Sequence, residues 1–288
     1  MSTREGAVFD LDYQRYVGAR TGRGGIFWAI VWDGIRRAMG IGRRFRAKLL
    51  PWGVVLVAIG IALLSVTLDV LFAALDVELL SHSDYFNITS TLGYLFMATA
   101  APEFLVPDRV HGVLDLYRSR PVSRATYLIA RVLGLIIIVL FFSLVPQLIL
   151  FIGKALASGN FVRGVRANLE VGWQVPATAL VHLASQIAVA FPVAAFAKRR
   201  GTAAAMFIGT MLVTLPIAEG LRQVQRHFAH FAILQHPFYV QNRIFDLHLE
   251  EGLAPFEAGF KWWASLLVIV MLVLLATLLV WRRYRKLL

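Results

Sequence analysis

The chain has 288 residues, of which 58% are hydrophobic and only 16% charged, with a mean hydropathy of +0.68. A soluble domain of this length carries more charge, and no long polar stretch remains once the apolar segments are set aside, so a soluble globular domain is excluded. The net charge of +12 gathers at the edges of apolar segments, where lipid and topology account for it better than nucleic acid; the absence of cysteine excludes disulfides, thiolate metal sites and cysteine nucleophiles.

Residues 1–48 are polar and basic and show no signal-peptide pattern of a short apolar core before a small-residue cleavage site. Within them, Ile26 to Arg46 reads as an amphipathic helix lying in the membrane interface. Phe27, Val31, Ile35 and Ala38–Met39 share one face, and Asp33, Arg36, Arg37 and Arg44 the other. Residues 49–288 form one transmembrane domain, an all-α membrane fold. Its six expected spans cover about 50–72, 89–106, 127–152, 171–197, 202–221 and 262–281, each near the roughly 20 residues a bilayer requires. Asp69 falls in the first span. Its insertion cost of about 3 kcal/mol is outweighed by the surrounding Leu, Val and Ile, and it shrinks near the span end.

The odd-numbered connections are strongly basic, and the opposite ones hold fewer basic residues. Arg36, Arg37, Arg43, Arg44, Arg46 and Lys48 precede the first span. Arg109, Arg118, Arg120, Arg124 and Arg131 surround the second-to-third connection. Lys198, Arg199 and Arg200 lie between the fourth and fifth spans, and Arg282, Arg283, Arg285 and Lys286 follow the last. The first opposite loop carries Asp76, Glu78 and Asp84 without a basic residue. The positive-inside rule then puts both termini in the cytoplasm.

Pro102 and Pro107 flank the inner end of the second span, and Pro176 and Pro192 fall in the fourth, marking expected bends. After Pro102, the segment Asp108 to Tyr117 reads as a short helix with Val110, Val113, Leu114 and Tyr117 on one face. Pro121 interrupts it, and Ser123 caps the next helix. In the fourth span His182, Ser185 and Gln186 are polar; contacts between helices explain His182 and Gln186 best. Thr210, Thr214 and Glu219 of the fifth span are pathway candidates, because intramembrane polar groups are costly and often functional. The longest external connection, Arg222 to Phe260, holds Phe228, Phe231, Phe238, Tyr239, Phe245 and Phe256, which points to short helices capping the outer interface.

Other chemistries find weaker support. Asp33-Gly34-Ile35-Arg36-Arg37 has the opening of a lipid phosphatidyltransferase motif, but arginines follow where metal-binding aspartates are needed. Asp108, His111 and Asp115 share a stripe that a solvated helix face explains better than a metal. His227, His230, His236 and His248 are scattered as ordinary loop histidines are. No zinc-protease or serine-hydrolase motif is present. Gly40 to Lys48 lacks the glycine before the lysine and the hydroxyl after it that a phosphate loop requires, so the chain is expected not to be an enzyme and to have no cofactor or metal of its own.

The stretch Asp108, Arg109, Gly112, Leu114, Leu116, Tyr117, Ser119, Arg120, Pro121, Val122, Ser123, Arg124 and Tyr127 resembles the permease subunits of type-2 ABC exporters. The layout is similar as well: a basic interfacial helix, six spans, inward termini and an elaborated last external loop. The resemblance implies that this stretch is a cytoplasmic coupling helix touching an ATPase through Asp108, Arg109, Gly112, Leu114, Leu116, Tyr117, Arg120, Pro121, Ser123 and Arg124. It implies separate cytoplasmic ATPases that hold ATP and Mg, a second permease chain, identical or paralogous, and a plasma-membrane location. It further implies that the second and fifth spans face that second chain, where Ala98, Ala100, Ala101, Ala203, Ala204, Ala205 and Gly209 suit close packing. The alternatives are a membrane enzyme or metal-handling protein without an ATPase, and an ABC assembly that does mechanical or sensing work. The cargo is not legible in the sequence.

Overall fold

The structure, a computed structural model, describes residues 22–72, 80–118, 122–247, 250–285 and 287, the side chains at 115, 116 and 118 excepted. Asp76, Glu78, Ser119, Arg120, Pro121, His248 and Lys286, and the side chains of Asp115, Leu116 and Arg118, therefore lie outside the described residues. Every regular element among those described is helical: α1 (Arg23–Ala38), α2 (Arg46–Leu71), α3 (His82–Val110), α4 (Val113–Arg118), α5 (Arg124–Ala157), α6 (Phe161–Ala167), α7 (Val171–Phe196), α8 (Arg200–Arg222), a 3-10 turn (Arg226–Phe231), α9 (Gln235–Ile244), α10 (Ala254–Glu257) and α11 (Trp262–Arg285).

Five of these, α2, α5, α7, α8 and α11, are long and apolar enough to cross a membrane. The expected second span lies within α3, which has 29 residues but carries Asp84, Glu103, Asp108 and Arg109 and is less apolar. The least apolar of the long helices is also the one with the most helical neighbours. It packs against α1, α2, α5, α7, α8 and α9, so neighbouring side chains surround Glu103 and Asp108, while Asn87 and Thr91 stay exposed. Ser81 caps its start: the hydroxyl accepts from the Asp84 amide at 3.1 Å, and the Asp84 carboxylate accepts from the Ser81 amide at 3.2 Å.

Proline ends none of the long helices. α3 runs through Pro102 and Pro107, α5 through Pro146, and α7 through Pro176 and Pro192. The expected short helix from Asp108 to Tyr117 is accordingly redrawn. Asp108 and Arg109 belong to the last turn of α3. The chain then turns at Gly112, whose φ of +67° suits a residue without Cβ, and α4 occupies only Val113–Arg118.

The amphipathic amino-terminal helix is also shorter than expected, ending at Ala38. It buries Ile30, Val31, Gly34 and Ala38 against α3 and α5, so it is docked on the bundle and does not merely lie beside it. Trp28 and Trp32 stay exposed on its other side, as aromatic residues do at a membrane surface. The long α8–α11 connection folds into the 3-10 turn and helices α9 and α10, the short helices its aromatics led one to expect. α9 packs on α7 and α11.

Candidate functional site

Three charged residues in the last two turns of α3 organise one end of the bundle. Asp108 is fully buried. Its Oδ1 accepts from Arg37 Nη1 at 2.5 Å, and its Oδ2 accepts from the Tyr127 hydroxyl at 2.8 Å and from Arg131 Nη2. Arg131, one helical turn beyond Tyr127 on α5 and also fully buried, donates through Nη2 to Asp33 Oδ2 at 3.0 Å and through Nη1 to the Ile30 carbonyl at 3.0 Å. Arg37 closes the ring onto Asp33, with Nε and Nη2 at 3.0 and 2.7 Å from its two oxygens. Two carboxylates and two guanidiniums therefore alternate in a closed, neutral ring that joins α1, α3 and α5.

Burial alone would depress the Arg37 guanidinium, but its bond to Asp108 and the charges of Asp108 and Asp33 outweigh this and raise its pKa. The ring pairs every charge, with each carboxylate shared between two guanidiniums, and leaves only the buried Arg131 Nε without a hydrogen-bond partner. It offers no free acid, base or nucleophile; what it can do is hold three helix ends in one geometry.

Glu103, just over one turn earlier, accepts from Arg43 at 3.1 Å and from Arg200 at 2.7 Å, which ties the α1–α2 connection to the start of α8. Arg109 points the other way. Its guanidinium donates to the carbonyls of Ala194, Ala195 and Ala197, where a cation complements the carbonyl-rich end of α7. The ends of α1, α3, α5, α7 and α8 are thus joined through α3.

α4 rests directly on this joint. Leu114 is buried, and the Tyr117 ring lies 5.3 Å from that of Tyr127, which lies 5.8 Å from Tyr284 of α11. Burial raises the Tyr117 hydroxyl pKa, with the nearby Arg131 charge opposing. Ser123 caps α5, its hydroxyl accepting from the Thr126 amide at 3.1 Å, as its place before the apolar run predicts. Val110, His111, Gly112 and Arg124 remain exposed around α4. Asp108 is no part of that exposed surface. Reading it as a solvated residue beside His111 and Asp115 fails because α3 carries it inward onto Arg131.

The pathway candidates are dispersed along α8. The hydroxyls of Thr210 and Thr214 donate to their own helix, to Met206 and Met211 carbonyls at 2.8 and 3.3 Å. Glu219 pairs with Arg222 at 2.5 Å, and Arg222 reaches Glu257 of α10 at 2.5 Å, so this carboxylate helps clasp the α8–α11 connection.

At the other end of the bundle His182 does join helices. Its Nε2–H donates to Gln241 Oε1 at 2.8 Å. The Gln241 amide nitrogen in turn donates to the Ser83 hydroxyl at 2.9 Å and Asn87 Oδ1 at 3.0 Å. Gln241 pins α9 to α3 and α7, and nothing in the sequence distinguished it from other polar residues of a long connection. His236 is buried, its Nε2–H donating to the His230 carbonyl at 3.1 Å while Nδ1 accepts from Ser265 at 2.8 Å. No group of three or more metal-binding side chains occurs among the described residues, and the His227 and His230 rings pack against Phe260.

Burial pushes His236 down to about 4, its bond to the His230 carbonyl opposing and the nearby His230 ring assisting. The folded chain therefore binds this proton less readily than the unfolded chain, whose histidines titrate near 6.5. The resulting stability is whole above about pH 6.5 and is lost as pH falls toward 4, by on the order of 3 kcal/mol at most. Limited proteolysis of the α8–α11 connection should accelerate across that interval in wild type, and His236→Asn, which cannot charge, should shrink the pH step to the share left by His230, whose pKa burial also lowers. An unchanged step in the variant would assign it to another group.

Comparison with known protein families, curated proteins and solved structures finds no match to the chain.

Proposed function

We propose that the chain is the permease subunit of an ATP-driven ABC exporter of the type-2 class. In this reading α3 is a sixth membrane crossing at the centre of the bundle, both termini are cytoplasmic, and the plasma membrane is the site of action. Separate ATPase subunits bind ATP and Mg, and two permease chains form the translocation route. The observation that carries the reading is the position of α4. A short helix follows α3, is followed in the sequence by Arg120 and Arg124, and stands on a charged joint that reaches α1, α3, α5, α7 and α8. A push on α4 enters the bundle at the point where most of its helix ends are tied together, because a closed ring of ion pairs moves as a unit. Arg131 and Asp108 act as positioning residues in this scheme, not as contacts to the ATPase.

The test is extraction of the tagged chain from its own membrane in mild detergent, with mass spectrometry of what comes with it. A nucleotide-binding subunit should co-purify with wild type. Arg120→Glu should remove it while membrane yield and the thermal transition of the chain stay as in wild type. Gly112→Trp should also remove it while membrane yield is kept, with a lowered thermal transition, since the space beside Gly112 is open but its positive φ is strained for any other residue. Co-purification of no such subunit with wild type, or undiminished co-purification with both variants, would overturn the assignment.

A further inference from the structure

α5, α7 and α11 leave between them an apolar groove of about 460 Å³ at the basic end of the bundle. Its walls include Leu128, Val132 and Ile136 of α5, Phe191 of α7, and Ala276 and Val280 of α11. Of the two lining side chains with a polar atom, Thr277 donates its hydroxyl to the Val273 carbonyl at 2.8 Å and Trp281 is exposed toward the basic end, so the inner walls make no polar demand on an occupant. On α5 the wall runs from Ala125 to Ile136, about 17 Å at 1.5 Å per residue. One leaflet of a bilayer contributes about 15 Å of hydrocarbon. The groove therefore has the depth of one leaflet.

Its basic mouth carries charge in register with its walls. Arg124 lies one helical turn before Leu128, and Arg285 one turn after Trp281, which itself lines the groove; both arginines are exposed, and neither pairs with a carboxylate among the described residues. Helical side chains lean toward the amino-terminal end of their helix, which brings Arg285 back over Trp281 and carries Arg124 out toward the headgroup level.

We propose that this groove binds one anionic phospholipid from the leaflet on the basic side, with an acyl chain between α5, α7 and α11 and the headgroup phosphate at Arg124 and Arg285. The site requires only that these three helices cross the membrane; it does not depend on an ATPase partner. Charge at the mouth selects the headgroup, by about fivefold for each arginine, while the groove selects nothing beyond hydrocarbon.

The purified chain, equilibrated with vesicles of equal parts phosphatidylglycerol and phosphatidylcholine and then returned to mild detergent, can be weighed by native mass spectrometry. Wild type should retain one lipid per chain, with phosphatidylglycerol at least several-fold in excess. Arg124→Gln/Arg285→Gln should keep a lipid and lose the preference. Thr277→Trp, and independently Ile129→Trp, should lose the retained lipid of either kind; having two filling variants covers the case in which one fails to fold. Retention undiminished in the folded filling variants, or a preference indifferent to the loss of both arginines, would overturn the site. A second copy of the chain seated in the groove would overturn it as well. Native mass spectrometry would then show a lipid-free dimer that Ile129→Trp dissociates, whereas a lipid-filled groove shows the lipid bound to wild type and lost from that variant.

Discussion

Asp108→Leu should destabilise the chain by about 3–5 kcal/mol, the cost of leaving a buried charge without its partner. The charge left behind is Arg131, whose side chain is 0% exposed and which would keep only Asp33, itself 39% exposed and shared with Arg37. Thermal unfolding in mild detergent, followed by tryptophan fluorescence, reads the loss. Removing both partners should cost far less than removing one. Asp108→Leu/Arg131→Met takes out one negative and one positive member of the ring and leaves Asp33 and Arg37 as a neutral pair at 2.7 Å. Apolar replacement of a buried ion pair is frequently neutral or stabilising. If the single variant melts with wild type, the ring is not the joint described above. If the double variant melts no higher than the single, the coupling between the two residues is absent.

Gly34→Leu should release α1 from the bundle. A Cβ at Gly34 would stand 2.4 Å from Phe104 Cε1 and 3.1 Å from Arg131 Nη1; at Gly134, on α5, it would stand 2.7 Å from the same Phe104 atom and 3.1 Å from the Val31 carbonyl. The fully buried Phe104 ring is thus clamped between two glycines on different helices, and α1 approaches α5 closely enough for Arg131 to reach both the Ile30 carbonyl and Asp33. Overpacking at such a site costs roughly 1–3 kcal/mol, and displacing Arg131 adds to it. Amide exchange should show α1 losing protection while α7 and α11 keep theirs. Phe104→Ala supplies the control. It opens a cavity, at about 3–5 kcal/mol, but in that background Gly34→Ala should cost less than in wild type, because the Phe104 atoms it would strike are gone and only Arg131 Nη1, at 3.1 Å, remains. Full protection of α1 in Gly34→Leu would mean that the close approach does not hold the helix.

The docking of α1 marks where sequence reasoning stopped short. Its amphipathic period was legible, and Val31 and Ala38 do face inward. The pattern treated Asp33 and Arg37 as the solvated face, yet both turn into the ring. A charge is read as exposed unless its partner is known, and here the partners lie 71 and 98 positions away. The same blindness misplaced Asp108 and counted Arg131 among loop cations. Conversely, Ser123, the short helices of the last connection and the interhelical role of His182 were legible, because capping, aromatic content and the cost of a polar group at membrane depth are local properties.

Five of the apolar helices, and the denser basic charge of every second connection, follow from composition and spacing alone, since a membrane crossing is demanded by length and hydropathy within one segment. The tertiary structure decided what no single segment contains. It made the most polar long helix the central one, closed Asp33, Arg37, Asp108 and Arg131 into one neutral ring, and set α4 on top of it. The physical reason is that a buried charge is tolerable only beside its counter-charge, and where that counter-charge lies depends on how the helices pack.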